Sequence, residues 1–284
     1  MATVRVFHDG TLTDPQLDHP EGIAVHPDGS IWCGGEAGQL YRIDPDGDSL
    51  EVVANTGGFI LGVSFAPGGD VLYACDLKAR AVHRLDVASR AVEVFSRGGD
   101  RPFVTPNAIA VAVDGTIYVS DSGTQGAPGP GVYRFAPDGT GGLWYDGELD
   151  FANGLALTPS GRDLYVAETF ASAITRIPIG TDGAPGSPEL LAYLPGALPD
   201  GVTVGPDGGL YVGCYEPSQV LRVDTADGTV TTVAADPTAH LLCHPTNLVF
   251  RGSTLFTSNL GRWHITLIDG ALAGRGTAVR RDPR

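Results

Sequence analysis

Glu21-Gly-Ile-Ala-Val-His-Pro-Asp-Gly-Ser-Ile-Trp-Cys-Gly-Gly-Glu36 reads as one polar residue, a short apolar strand, a Pro-Asp-Gly turn and a second strand ending in an acid. The pattern returns along the chain. It runs from Leu61 through Ala66-Pro-Gly-Gly-Asp70 to Asp76, from Asn107 through Asp114-Gly115 to Asp121, and from Asn153 through Pro159-Ser-Gly161 to Glu168. Two further copies run from Asp200 through Pro206-Asp-Gly208 to Glu216, and from Asn247 through Arg251-Gly-Ser253 to Asn259. Most copies start about 46 residues after the one before, and each continues with two more strand-like runs, such as Gln39–Asp44 and Leu50–Ala54. Four short strands per repeat of this length is the signature of a propeller blade. The expectation is an all-β, six-bladed β-propeller with four antiparallel strands per blade. The run Thr3–Phe7 precedes Glu21 much as Ala91–Phe95 precedes Asn107, so it should complete the sixth blade and close the ring. No linker or shift in composition interrupts the repeats, and residues 1–284 are expected to form a single domain.

Composition agrees. The 284 residues include 40 glycines and 21 prolines, which supply many tight turns, while 42% hydrophobic residues argue for a packed core rather than disorder. A formal charge of −15 is the wrong sign for phosphate, so neither nucleic acid nor an anionic membrane surface is an expected partner. No apolar run approaches the ~20 residues of a membrane span, and the first residues lack the apolar segment of a signal peptide, so a cytoplasmic location is expected. Cys33, Cys75, Cys214 and Cys243 are too scattered for a disulfide framework and read as small buried hydrophobes.

In an antiparallel blade the start of the first strand and the end of the second share one face. Two rings of side chains should therefore surround one mouth of the channel. The inner ring is Glu21, Leu61, Asn107, Asn153, Asp200 and Asn247, and the outer ring is Glu36, Asp76, Asp121, Glu168, Glu216 and Asn259. Five inner positions carry oxygen donors, which suit a hard cation and Ca2+ above all; two carboxylates balance its charge. Without His or Cys in this ring a zinc site is disfavoured. Polar caps around a water-filled channel are the alternative, but repeat symmetry would then give one residue type in every blade, whereas here the types differ. The outer ring is expected mostly to be solvated or to bond neighbouring backbone.

The motifs Pro20-Glu21-Gly22, Pro106-Asn107, Ala152-Asn153-Gly154-Leu155-Ala156, Pro199-Asp200-Gly201 and His244-Pro245-Thr246-Asn247 resemble the senescence-marker-protein/gluconolactonase/luciferin-regenerating-enzyme (regucalcin-like) family. Diisopropyl fluorophosphatase and paraoxonase are more distant relatives of that group. The resemblance implies a divalent cation in the channel, usually Ca2+ but exchangeable for Mg2+, Mn2+ or Zn2+. Its ligands would be Glu21, Asn153 and Asp200, with Asn107 binding it directly or through water and substrate, and Asp200 would be the general base. It also implies metal-assisted opening of a lactone, a small-molecule substrate, and a monomer or weak homo-oligomer. Sugar-lactonase members carry an Arg two residues before the third-blade Asn, whereas this chain reads Val104-Thr105-Pro106-Asn107-Ala108.

The loops at the mouth hold Phe59, Ile60, Leu61, Phe103, Phe151 and Leu198, and Phe170 and Trp263 follow second strands. Such a wall favours a substrate less polar than gluconolactone. Asn107, Asn247, Leu61, Phe103, Phe151, Phe170, His19 and His244 are the expected substrate contacts, the two histidines also as proton shuttles. Phosphoester hydrolysis, isomerisation or cyclisation at the same metal, or a non-catalytic propeller that binds a small molecule, are the alternatives. His240-Leu-Leu-Cys243-His244 lacks the second pair of ligands a zinc site needs, and Gly62-Val-Ser64 lacks the following helix of a nucleophile elbow. Ser122–Gly131 reads either as a partial lid or as a plain long hairpin.

Overall fold

The computed structural model describes residues 2–127 and 129–273; residues 1, 128 and 274–284 lie outside the described residues, so the domain expectation at both ends and one position of the Ser122–Gly131 loop do too. The repeats fold as six four-stranded antiparallel sheets. Blades one to five each use four strands consecutive in sequence, and the sixth combines Pro245–Arg251, Thr254–Asn259 and His264–Asp269 with the N-terminal strand Thr3–Asp9. That strand pairs antiparallel with His264–Asp269, so first and last strands lock the ring, as the sequence predicts. Among the described residues the only helix is the 3-10 turn Ala271–Ala273.

The core lies between blades rather than in one centre. Six apolar clusters each draw on two neighbouring blades: Leu17, Ile23 and Tyr41 of blade one pack with Phe256 and Ile265 of blade six, and Tyr73 and Val82 of blade two with Val119 and Phe135 of blade three. Cys33, Cys75 and Cys214 sit inside such clusters, and burial pushes their thiols up, Cys214 to about 12. They are inert fillers.

Ile23–Val25, Ile60–Phe65, Pro106–Val111, Ala152–Leu157, Leu198–Val204 and Pro245–Arg251 are the first strands of the six sheets. Residues from all six line a central cavity of about 420 Å3. Val25, Val63, Ile109, Leu157, Val202 and Val249 from successive blades line it, together with Ser64, Thr203 and Asn247. Near the start of each of the last five strands the register with the second strand slips, so that two residues face one. A bulge of this kind re-aims a side chain. The slipped segments contain Leu61, Asn107, Asn153, Asp200 and Asn247, the inner-ring residues. The glycine after most ring residues has a steric reason. A Cβ on Gly22 would lie 2.1 Å from Leu61 O, and one on Gly154 would lie 2.4 Å from Asp200 O, so adjacent inner strands touch where the ring forms.

Candidate metal centre

Glu21, Asn107 and Asn153 are each 5% exposed and Asp200 6%, although all are strongly polar. Among the described residues, the only buried amide or carboxylate oxygens without a hydrogen-bond partner are Asn107 Oδ1, Asn153 Oδ1 and Asp200 Oδ1. Leaving such an atom unpaired costs about 1–3 kcal/mol each, so three at one ring is a local deficit that a ligand would remove. The amide nitrogens are satisfied: Asn107 Nδ2 donates to Ser122 Oγ at 2.9 Å and Asn153 Nδ2 to Thr169 Oγ1 at 3.2 Å. The unpaired ends are acceptors only, which is the donor set of a hard cation.

The carboxylates carry the same signature. Burial pushes Asp200 up to about 8, partly offset by the Asn153 amide. Burial, followed by repulsion from Asp200, holds Glu21 well above the usual carboxylate range, against the pull of the Asn247 amide. Two buried acids that resist ionisation and repel each other are a site short of positive charge. Glu21, Asn107, Asn153 and Asp200 therefore fit a divalent cation. Asn247 lies in the same ring but turns its nitrogen onto Glu21, 3.1 Å from both Glu21 O and Oε2. Leu61 fills the remaining position, buried in the cluster between blades two and three.

The outer ring divides in two. Asp76 accepts from Phe59 N and Ala79 N, and Asp121 from Val104 N, Thr105 N and Gly123 N, both fully buried. Glu168 accepts from Asp150 N, and Asn259 Oδ1 from Cys243 N. All four pin the loop that leads into their own blade. Glu36 and Glu216 remain exposed and instead face the histidines. His19 Nδ1 lies 2.8 Å from Asp18 Oδ1 and 3.0 Å from Glu36 Oε2, with its ring edge-on to Trp263. His244 Nδ1 lies 2.8 Å from Tyr215 O and 3.3 Å from Glu216 Oε1, with its ring stacked on Tyr215. Both histidines stand on the approaches to the neighbouring first and sixth blades.

The apolar wall is smaller than its sequence implies. Phe103 is 2% exposed and packs edge-on against Tyr133, 4.6 Å between centroids, so the structure places its ring in the cluster between blades two and three. Ile60 is fully buried between blades one and two. Phe170, 40% exposed, remains, paired with half-buried Phe151 at 4.9 Å, and Phe59, Leu198 and Trp263 are half-buried. Phe170 also borders a cleft of about 630 Å3 with Gln125, Leu149, Asp150 and Glu168. The residues that sequence reasoning missed are Ser122 and Thr169, whose signal is a hydroxyl directly after an outer-ring acid. No described helix is long and apolar enough to cross a membrane.

Residues 61–258 match the SMP-30/Gluconolactonase/LRE-like region, and residues 10–43 match the N-terminal part of strictosidine synthase-like proteins. Strictosidine synthase-like protein 6 of Arabidopsis thaliana is 29% identical over 217 residues, covering 66% of this chain and 58% of that protein. A gluconolactonase of Zymomonas mobilis is 28% identical over 172 residues, covering 53% of this chain and 48% of its own. The chain spans about half the length of the curated relatives it matches. A solved gluconolactonase of Xanthomonas campestris superposes with a TM-score of 0.77 at 25% identity, over 94% of this chain and 89% of that one.

Proposed function

The chain belongs to the SMP-30/gluconolactonase/LRE-like family, and from that premise we propose that it is a divalent-cation-dependent hydrolase that opens a lactone. The observation that carries this reading is the convergence of three unpaired buried oxygens and two ionisation-resistant carboxylates on one ring. Glu21, Asn153 and Asp200 would hold the cation, with Asn107 as fourth donor, and Ca2+ suits this all-oxygen set better than Mg2+, Mn2+ or Zn2+. When bound, the ion supplies Lewis acidity to an ester carbonyl.

The remaining work falls to side chains. Asp200 accepts a proton from the attacking water as the water oxygen bonds to the acyl carbon. As the ring C–O bond breaks, Asp200 returns that proton to the departing alkoxide, and the product is a hydroxy acid. Glu21 is held for its role by the 3.1 Å contact from Asn247 Nδ2. Phe151 and Phe170, with no Arg in the Val104–Ala108 stretch, favour an alkyl or aryl lactone over a hydroxyl-rich one. A panel of sugar, alkyl and aryl lactones, assayed by acid release with Ca2+ and then with chelator, tests both parts. Turnover that survives chelation removes the metal reading, and hexonolactone turnover above every alkyl or aryl lactone removes the substrate reading. The strictosidine synthase-like relatives, at 26–29% identity, favour a second reading in which the ring serves a cyclisation or another non-hydrolytic step. Absence of acid release across the panel with Ca2+ bound would select it.

A further inference from the structure

Ser122 and Thr169 occupy equivalent places in blades three and four, each directly after the acid that ends the second strand. Both are buried. A hydroxyl has one hydrogen to give. Ser122 Oγ gives its hydrogen to Ala152 O at 2.7 Å, and Thr169 Oγ1 gives its hydrogen to Pro199 O at 2.8 Å. Toward the ring, each can therefore only accept. The group that approaches must be a donor, so Asn107 and Asn153 present their NH2 ends to these hydroxyls, at 2.9 and 3.2 Å. Their Oδ1 atoms are left over, buried and unpaired. Reversing either amide would set a carbonyl oxygen against a hydroxyl whose hydrogen is already committed.

Blade six supplies the comparison within the same chain. Its ring residue is also an asparagine, Asn247, in the same kind of bulge. The residue after its second strand is Leu260, which has no hydroxyl. There the amide directs Nδ2 onto Glu21 instead. One side-chain type at equivalent positions thus takes two different settings, and the residue after the outer-ring position differs in step with them.

We propose that Ser122 and Thr169 are positioning residues that set the two ring amides oxygen-inward, and so decide which asparagines serve as cation ligands. The carbonyls they grip immediately precede Asn153 and Asp200, so each hydroxyl ties the donor of its own blade to the donor of the next. The assignment rests on the cation reading of the ring, and the test separates the two.

The full chain, stripped by chelator, is titrated with Ca2+ alone by calorimetry, and the metal-free melting temperature of every variant is recorded beside it. Ser122→Ala and Thr169→Val should each weaken Ca2+ binding about 10–100-fold, as loss of an orienting contact behind a ligand does. Ser122→Thr and Thr169→Ser keep a hydroxyl and should bind near wild type, which a change of shape alone would not explain. If the Ser122→Ala and Thr169→Val variants melt lower yet bind Ca2+ as wild type does, the hydroxyls are struts between blades and the assignment is wrong. If the wild type itself takes up no Ca2+, the cation reading falls and this assignment with it.

Discussion

Asp200→Asn should reduce the fall in stability with rising pH that the metal-free protein shows between about pH 4 and 8. Asp200 is 6% exposed, and burial pushes its carboxyl from 3.8 up to about 8. In the unfolded chain it ionises near its ordinary value; in the folded chain it keeps its proton. Above pH 4 the unfolded state therefore binds fewer protons, and stability falls as pH rises until the folded carboxyl also titrates. One proton corresponds to about 1.4 kcal/mol per pH unit, so from pH 5 to 7 Asp200 alone removes roughly 3 kcal/mol. For a chain of this size that is a melting shift of about 5 °C. Glu21 is raised too and acts in the same direction. His264, which burial lowers, acts in the opposite direction but is common to both proteins and cancels in their difference; that difference reports Asp200 together with the release of Glu21 from its repulsion, and both act in the same direction. The assay is urea unfolding in chelator at pH 5, 6 and 7, and the amide variant should show a shallower decline at every step. Equal pH slopes in the two proteins would refute the account of a buried, proton-retaining Asp200.

Saturating Ca2+ should flatten the wild-type slope at neutral pH, because a bound cation favours both ionised carboxylates; melting curves with and without the ion check this. Asp121→Ala strips three backbone N–H groups of their acceptor and should destabilise by about 3 kcal/mol or more, whereas Glu36→Ala, exposed, should stay within about 0.5 kcal/mol, both read by denaturant midpoint. Gly154→Ala drives a methyl to 2.4 Å from Asp200 O and should cost about 1–3 kcal/mol while weakening Ca2+ binding, which an innocuous glycine would not do. Phe170→Ala should lower kcat/KM for aryl lactones about tenfold more than for sugar lactones, and an equal loss on both would show that the ring does not meet substrate.

The fold was legible because a propeller is written six times. Each copy repeats the apolar run and a glycine-containing turn, five of the six begin the inner strand with a polar residue, and even the closing strand Thr3–Asp9 announced itself by its likeness to the strands before other blades. The inner ring was legible for the same reason: Glu21, Asn107, Asn153 and Asp200 fall at one phase of the repeat, and the bulge that turns the last three inward recurs at that phase. Phe103 was not legible. It stands four residues before its ring position, where Phe59 and Phe151 stand two before theirs, and its packing against Tyr133 and Phe135 is a tertiary contact that the repeat does not carry.

The orientation of an amide is a different kind of fact from its position. Asn107, Asn153 and Asn247 occupy the same phase of the repeat, and periodicity assigns them one role. Their hydrogen bonds assign two, because a side chain with a donor at one end and an acceptor at the other takes its direction from whichever neighbour has a commitment already fixed. Ser122 and Thr169 have theirs fixed by carbonyls of the next blade, and Leu260 has none to fix. Repeat symmetry builds the ring, and the departures from symmetry just behind it select its donors. In a closed propeller, where every blade leans on the next, a substitution behind one blade is therefore felt at the ligand of its neighbour.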